Sequence, residues 1–289
     1  MTTVLNRKPD DDEIDVFGLS HPGKVRIDNQ DHFLLAALHK RLTILHSSLS
    51  ETQMLPFAET RLAVVAMVAD GVGGGAGGAD ASATTLEVAT EYILGSMDCY
   101  HRMDADEGTF INALQETAMK AHAAVQARAE GDPDKKRMAT TLTLFMGVWP
   151  WYYLLQVGDS RYYLYRDGKL SQLTRDQTMA QDLVDQGVWT RAVGEKSRLA
   201  NVLSSAIGGT TAMPVVTRLK ADWNNVHLLC SDGLTKHVSD EKIAARLKTM
   251  TTARQVCEQL LQDALDDGGT DNITIIVGGV KPGKRQLGE

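Results

Sequence analysis

Cysteine is scarce in this 289-residue chain. Cys99, Cys230 and Cys257 are odd in number, far apart, and in no C-x-x-C pair. That disfavours both a disulfide framework and a zinc site, and points to a reducing, cytoplasmic setting. Positive charge is also short: 30 Lys and Arg stand against 37 Asp and Glu, a net charge of -7. With no basic stripe to offset it, nucleic acid is not the expected partner. Long apolar runs are missing, and none approaches the roughly 20 residues of a membrane-spanning helix. The N-terminal region is polar and acidic (Asp10-Asp11-Asp12-Glu13), so we expect neither a signal peptide nor a membrane partner. Repeats and low-complexity linkers are absent too, which favours one domain. What remains, 43% apolar and 23% charged, is the composition of an ordinary globular protein.

Glycine, by contrast, is concentrated. Leu62 to Ala69 is a continuous apolar run rich in Val, and reads as a strand buried on both faces. It ends in Asp70-Gly71-Val72-Gly73-Gly74-Gly75-Ala76-Gly77-Gly78, followed by an Ala-rich helical segment. Three readings compete. A tight Asp-Gly turn needs one or two glycines, not this many. A dinucleotide loop fits G-x-G-x-x-G, but Asp98 to Glu107 is polar where the next strand and its ribose-binding acid should come. A P-loop is excluded because no Gly-Lys-Ser/Thr follows. The third reading makes Asp70 a metal ligand, which requires partner acids elsewhere.

Along the chain, Ile14 to Ser20 alternates as a strand. Val25 to Leu35 reads as a second strand with Arg26, Asn29 and Asp31 crowded at its polar centre. Ala36 to Thr60 suits either a hairpin or a short helix. Ala81 to Met97 and Thr109 to Ala129 are helical, the second with Phe110, Leu114, Ala118 and Ala121 on one face and a stop at Gly131 to Asp134. Thr140 to Thr174 has the β-rich pattern of an antiparallel meander, with Asp167-Gly168 as a hairpin turn. A helix is expected over Gln177 to Gln186 and a loop-like region over Val188 to Asn225. Val226 to Cys230 is a buried strand. Helices follow at Asp240 to Lys248, capped by Ser239, and at Ala253 to Leu265, where Thr252 and Gln255 form a capping box. Ile273 to Val277 closes the fold.

These strands share a habit: they end or begin in acid. Val68-Ala69 runs into Asp70, Val157-Gly158 into Asp159, and Cys230-Ser231 into Asp232, while Asp271 opens the last strand and Asp31 lies in the second. Each alone reads as a turn or cap residue. If they converge, two carboxylates ~5 Å apart at an effective dielectric of ~20 repel by roughly 3 kcal/mol. Such a cluster must take up protons or bind cations. Oxygen ligands without His or Cys select Mg²⁺ or Mn²⁺ over Zn²⁺.

The blocks Arg26-Ile27-Asp28-Asn29-Gln30-Asp31, Asp70-Gly71-Val72-Gly73-Gly74, Gly158-Asp159-Ser160-Arg161, Leu173-Thr174-Arg175-Asp176-Gln177, Ser231-Asp232-Gly233 and Asp271-Asn272 resemble, in order, the signatures of the metal-dependent serine/threonine phosphatases (the PPM or type 2C family) in their bacterial form. The resemblance spans about residues 14 to 280 and implies an α+β fold, a four-layer α-β-β-α sandwich with two central antiparallel sheets and a dinuclear metal site at one end. It implies a phosphatase domain over 14–280 and a flap within about 188–225; the ends at 1–13 and 281–289 read by themselves as flexible. Asp70 would bridge two Mn²⁺ or Mg²⁺ ions, the Gly71 carbonyl would bind one, and Asp232 and Asp271 the other. Asp31 would hold waters of the metal shell, Asp159 would serve a third, weaker metal, and Arg26 would clamp phosphoryl oxygens.

Four departures stand out, the first being the Ala36 to Thr60 connection, which is longer than usual. Gln30 replaces a common Glu. Val72 replaces a His proposed as general acid in eukaryotic relatives. Gln177 replaces a common His, which puts the hydrogen bonding of its block in question. The expected activity is hydrolysis of phosphoserine and phosphothreonine by a metal-bridging water, in a cytoplasmic monomer acting on phosphoproteins and paired with a Ser/Thr kinase. An inactive, phosphatase-like regulatory module is the alternative.

Overall fold

The computed structural model describes residues 7–40, 60–73, 76–96, 107–130 and 138–281. Expectations that fall on Cys99, on the 41–59 connection, on the helix stop at 131–134 and on the tail from 282 lie outside the described residues. No helix among those described is long and apolar enough to cross a membrane.

Two antiparallel sheets stack face to face. The first contains β1 (Ile14–His21), β7 (Arg161–Arg166), β8 (Lys169–Gln172), β10 (Val226–Cys230) and β11 (Ile273–Val280), in the order β1-β11-β10-β7-β8. The second contains β2 (Asp31–Lys40), β3 (Thr60–Val72), β5 (Leu142–Val148), β6 (Trp151–Val157) and β9 (Val215–Lys220), in the order β2-β3-β5-β6-β9, with the short β4 (Ala139–Thr140) on the end of β3. Helices α1 (Ala76–Gly95) and α2 (Glu107–Ala129) cover the second sheet. α5 (Asp232–Thr235), α6 (Asp240–Lys248) and α7 (Ala253–Asp266) belong to the first sheet, while α3 (Met179–Asp185) and α4 (Arg191–Glu195) form a surface excursion between β8 and β9. The result is the four-layer α-β-β-α sandwich that the resemblance implied.

The period of two along each strand explains the layers. In β3, Val65, Met67 and Ala69 face α1 and α2, packing with Leu86, Ile93, Leu114 and Ala121. The intervening Ala66 and Val68 face the other sheet, where they meet Phe145, Leu154, Tyr162, Leu229 and Ile276. A strand buried on both sides has no polar face to show, hence its uninterrupted apolar run. β10 repeats the arrangement: Leu228 and Cys230 turn to α6 and α7, and Leu229 to the centre. Between the sheets the Tyr162 hydroxyl pairs with His227 Nδ1 at 2.6 Å, so neither group is left unsatisfied there.

Several local expectations change. The meander divides, because β5 and β6 belong to one sheet and β7 and β8 to the other. Arg26 lies in a loop before β2, not in a strand, since Asp31 is the first residue to pair. α1 starts at Ala76, inside the glycine tract. The region expected as loop carries α4 and the strand β9, which pairs along β6. The capping box at α7 is only half made: Thr252 accepts from Gln255 N, but Gln255 Oε1 reaches Thr251 instead. The N-terminal stretch is anchored from Arg7 on, whose carbonyl accepts from Trp223 Nε1 at 2.9 Å and whose guanidinium pairs with the buried Glu13.

Candidate metal centre

Turns at one end of the sandwich bring the acids together. Asp31 opens β2 and stands directly opposite Asp70 of β3. Asp159 follows β6, Asp232 follows β10 at the start of α5, and Asp271 precedes β11. Both sheets contribute, so the gathering depends on how they stack. A cleft of about 1060 Å³ is lined by Arg26, Asp70, Gly71, Asp159, Asp232 and Asp271, together with Lys236. Asp31 lies behind this surface and is buried.

The glycines next to the acids are there because backbones touch. A Cβ on Gly71 would stand 2.3 Å from the Gly78 carbonyl oxygen and 2.7 Å from that of Gln30. One on Gly233 would lie 1.9 Å from the Asn272 oxygen. Side chains at either place would push apart the segments that carry Asp70, Asp232 and Asp271.

Hydrogen bonds then fix the frame. The Asp70 amide donates to Thr141 Oγ1 (3.0 Å) and its carbonyl accepts from the Thr141 amide (2.9 Å). Asn272 Nδ2 donates to the carbonyls of Pro22 (3.0 Å) and Asp28 (2.9 Å), while its Oδ1 accepts from the Gln30 amide (2.9 Å). One side chain thus clamps the loop that presents Arg26. Gln177 settles the bonding that its substitution had put in question: its Oε1 accepts from the Gly158 amide at 2.8 Å and its Nε2 donates to the Met213 carbonyl at 2.9 Å. It thereby holds the turn that carries Asp159. The Arg161 fork on Asp176 braces the same turn, with Nη2 at 2.7 Å.

The electrostatics are those of acids that are buried first and crowded together second. Burial, only partly relieved by hydrogen bonds from Ser231 and Thr274, lifts Asp31 to about 6. Burial followed by the charges of Asp232 and Asp176 lifts Asp159 to about 8. Asp70 is raised well above the ordinary carboxylate range, by burial first and then by Asp31, Asp232 and Asp159. Asp232 is also raised by burial, against the pull of Lys236 and a hydrogen bond from Asp70. Asp271 differs: burial would raise it, yet Lys236 and Arg26 together hold it low. Arg26 Nε sits 2.8 Å from its Oδ1.

Lys236 was not found from the sequence. Its Nζ lies 2.6 Å from Asp232 Oδ2 and 2.8 Å from Asp271 Oδ2. The available signal was its spacing, one helical turn after Asp232. Val72, at the cleft lip, is exposed and offers no proton. Among the described residues, no three His, Cys, Asp or Glu side chains are already closed into a metal-ligand group. The donor set nonetheless fits a hard cation: it is all oxygen, it repels itself, and Asp31 Oδ1 is buried without a hydrogen-bond partner.

Fold and site together define a two-sheet sandwich with an acidic, oxygen-lined cleft at one end. The family profile described as Protein phosphatase 2C matches residues 56–267, and the chain belongs to that family. It is 36% identical over 214 residues to the serine/threonine protein phosphatase PstP of Mycobacterium tuberculosis, covering 74% of this chain and 40% of that protein. The chain therefore spans about two fifths of that relative's length. It is 28% identical over 214 residues to the serine/threonine phosphatase stp of Listeria innocua, covering 74% and 83% of the two chains. A crystal structure of the PstP catalytic domain, in complex with two manganese ions, superposes with a TM-score of 0.70 at 29% identity, covering 93% of this chain and 98% of that one.

Proposed function

We propose that this protein is a metal-dependent phosphoprotein phosphatase that hydrolyses phosphoserine and phosphothreonine in one step. The observation that carries the reading is the meeting of Asp70, Asp159, Asp232 and Asp271 on one cleft, with Asp31 behind them and several of their carboxyls raised, first by burial and then by one another's charge. Asp70 would bridge two Mn²⁺ or Mg²⁺ ions, with the Gly71 carbonyl on one side and Asp232 and Asp271 on the other. Asp159 would add a ligand for a third, weaker ion. When bound, the ions supply a readily deprotonated water as nucleophile and neutralise charge on the phosphoryl group.

The chain's own groups do the rest. Arg26, more than half exposed and held against Asp271, offers a planar fork to phosphoryl oxygens at the cleft mouth. Asp31, fixed by Thr274 at 2.8 Å, keeps its other oxygen free to accept a hydrogen bond from water in the site. Neither Val72 nor any other apolar lining residue can protonate the leaving serine or threonine oxygen. The substrates are phosphoproteins, the opposing enzyme is a Ser/Thr kinase, and the setting is cytoplasmic signalling by a monomer.

The test is phosphate release from a phosphothreonine peptide with Mn²⁺ present. Chelator should abolish it. Asp70→Ala and Asp232→Ala should each lower it beyond the roughly 100-fold that loss of a mere supporting contact costs. Full turnover in excess EDTA would refute the reading.

A further inference from the structure

Lys236 occupies ground that a metal ion would need. It is the residue after the short helix α5, and its amide donates to the Asp232 carbonyl at 2.9 Å. The backbone therefore tethers its ammonium beside Asp232, where it bridges Asp232 Oδ2 and Asp271 Oδ2 at 2.6 and 2.8 Å. Asp271 is doubly engaged, because Arg26 Nη2 also donates to Oδ2 at 3.1 Å and Arg26 Nε faces Oδ1 at 2.8 Å. Asp70 and the Gly71 carbonyl carry no such lien: no described cationic side chain forms an ion pair with Asp70 within salt-bridge distance. The two halves of the site thus start from different states.

We propose that Lys236 is a built-in competitor for the divalent ion held by Asp232 and Asp271, making that position the weaker of the two and setting the metal concentration at which the site fills. The inference rests on the metal-site reading above. A tethered ammonium cannot diffuse away, so its effective concentration at the two carboxylates stays high. An arriving cation must displace it or bind beside a like charge only a few ångströms away. In exchange, Lys236 keeps Asp232 and Asp271 from repelling each other when no metal is present. It is a positioning residue that acts through the two aspartates.

Calorimetric titration of metal-stripped protein with Mn²⁺ tests this. Apart from the still weaker third ion at Asp159, the wild type should show one tight and one weak class of site. Lys236→Met, which keeps the length and removes the charge, should tighten the weak class at least tenfold, or about 1.4 kcal/mol, and leave the tight class unchanged. Lys236→Arg should retain the wild-type weak affinity, a rescue that a purely structural role would not predict. Without metal, Lys236→Met should melt below the wild type and Lys236→Arg close to it. If Lys236→Met folds only when loaded, the rate of Mn²⁺ loss to a chelating dye should be at least tenfold slower than in the wild type. An unchanged or weakened second class, an unchanged release rate, or an unchanged metal-free melting point overturns the role of Lys236. Absence of Mn²⁺ binding in the wild type would instead overturn the metal-site reading itself.

Discussion

At the scale of single residues, the site is a set of acids whose ordinary behaviour has been suppressed. Asp31 and Asp159 hold protons up to about 6 and about 8, mainly because burial penalises their charged forms. In the unfolded chain both would lose them near 4. Between pH 4 and 8 the folded, metal-free protein therefore binds more protons than the unfolded one, and its stability must fall as pH rises. We expect a lower melting temperature in chelator at pH 8 than at pH 5, with Asp159→Asn flattening the upper part of that slope. A metal-free protein that grows more stable over this window would contradict the assignment. The acids themselves were legible in the sequence because Asp70, Asp159 and Asp232 end apolar strands, Asp271 opens one and Asp31 lies within the second. Lys236 was not, because a lysine after a turn usually points into solvent, and only the approach of Asp271 gives this one a second partner.

Elements bring these residues to one place, and the loop between β1 and β2 shows how. Arg26 sits there with a side chain more than half exposed, so its position depends on the backbone beneath it. Asn272 supplies three of that loop's hydrogen bonds. Asn272→Ala would leave the carbonyls of Pro22 and Asp28 and the amide of Gln30 without their partner, each costing less than the about 1–3 kcal/mol of a fully buried group because water reaches this loop. The expected result is a stability loss of about 2–4 kcal/mol by denaturant titration and a fall of roughly tenfold in kcat/KM. Arg26→Ala should lower kcat/KM without the stability loss, since an exposed ion pair contributes little to folding. Equal stability losses in the two variants would show that the loop is not held as described. Element types were readable where burial imposed a clear period, as in β3, β10 and α2. They were misread where sheet membership was at stake. β6 and β7 look alike in sequence, yet the turn between them crosses from one sheet to the other.

For the whole molecule, two sheets pressed face to face place five aspartates near one end, and the folding energy of the sandwich opposes their repulsion. A cation that binds only the folded state relieves that opposition. Mn²⁺ at 100 times its dissociation constant should stabilise the protein by about 2.7 kcal/mol, a rise of roughly 5–10 °C in Tm for a domain of this size. No rise in Tm with Mn²⁺ would argue against an ion at this end of the sheets. The acids could be read from the chain alone, because they depend on local facts: which residues are apolar, at what period, and what ends each strand. The family and the layered fold were legible only through the resemblance carried by the six motif blocks. Register between Asp31 and Asp70, the division of the meander, the clamp by Asn272 and the placing of Lys236 required the folded protein. Each pairs residues far apart in the chain, and no local pattern records which distant strand, loop or side chain will lie opposite.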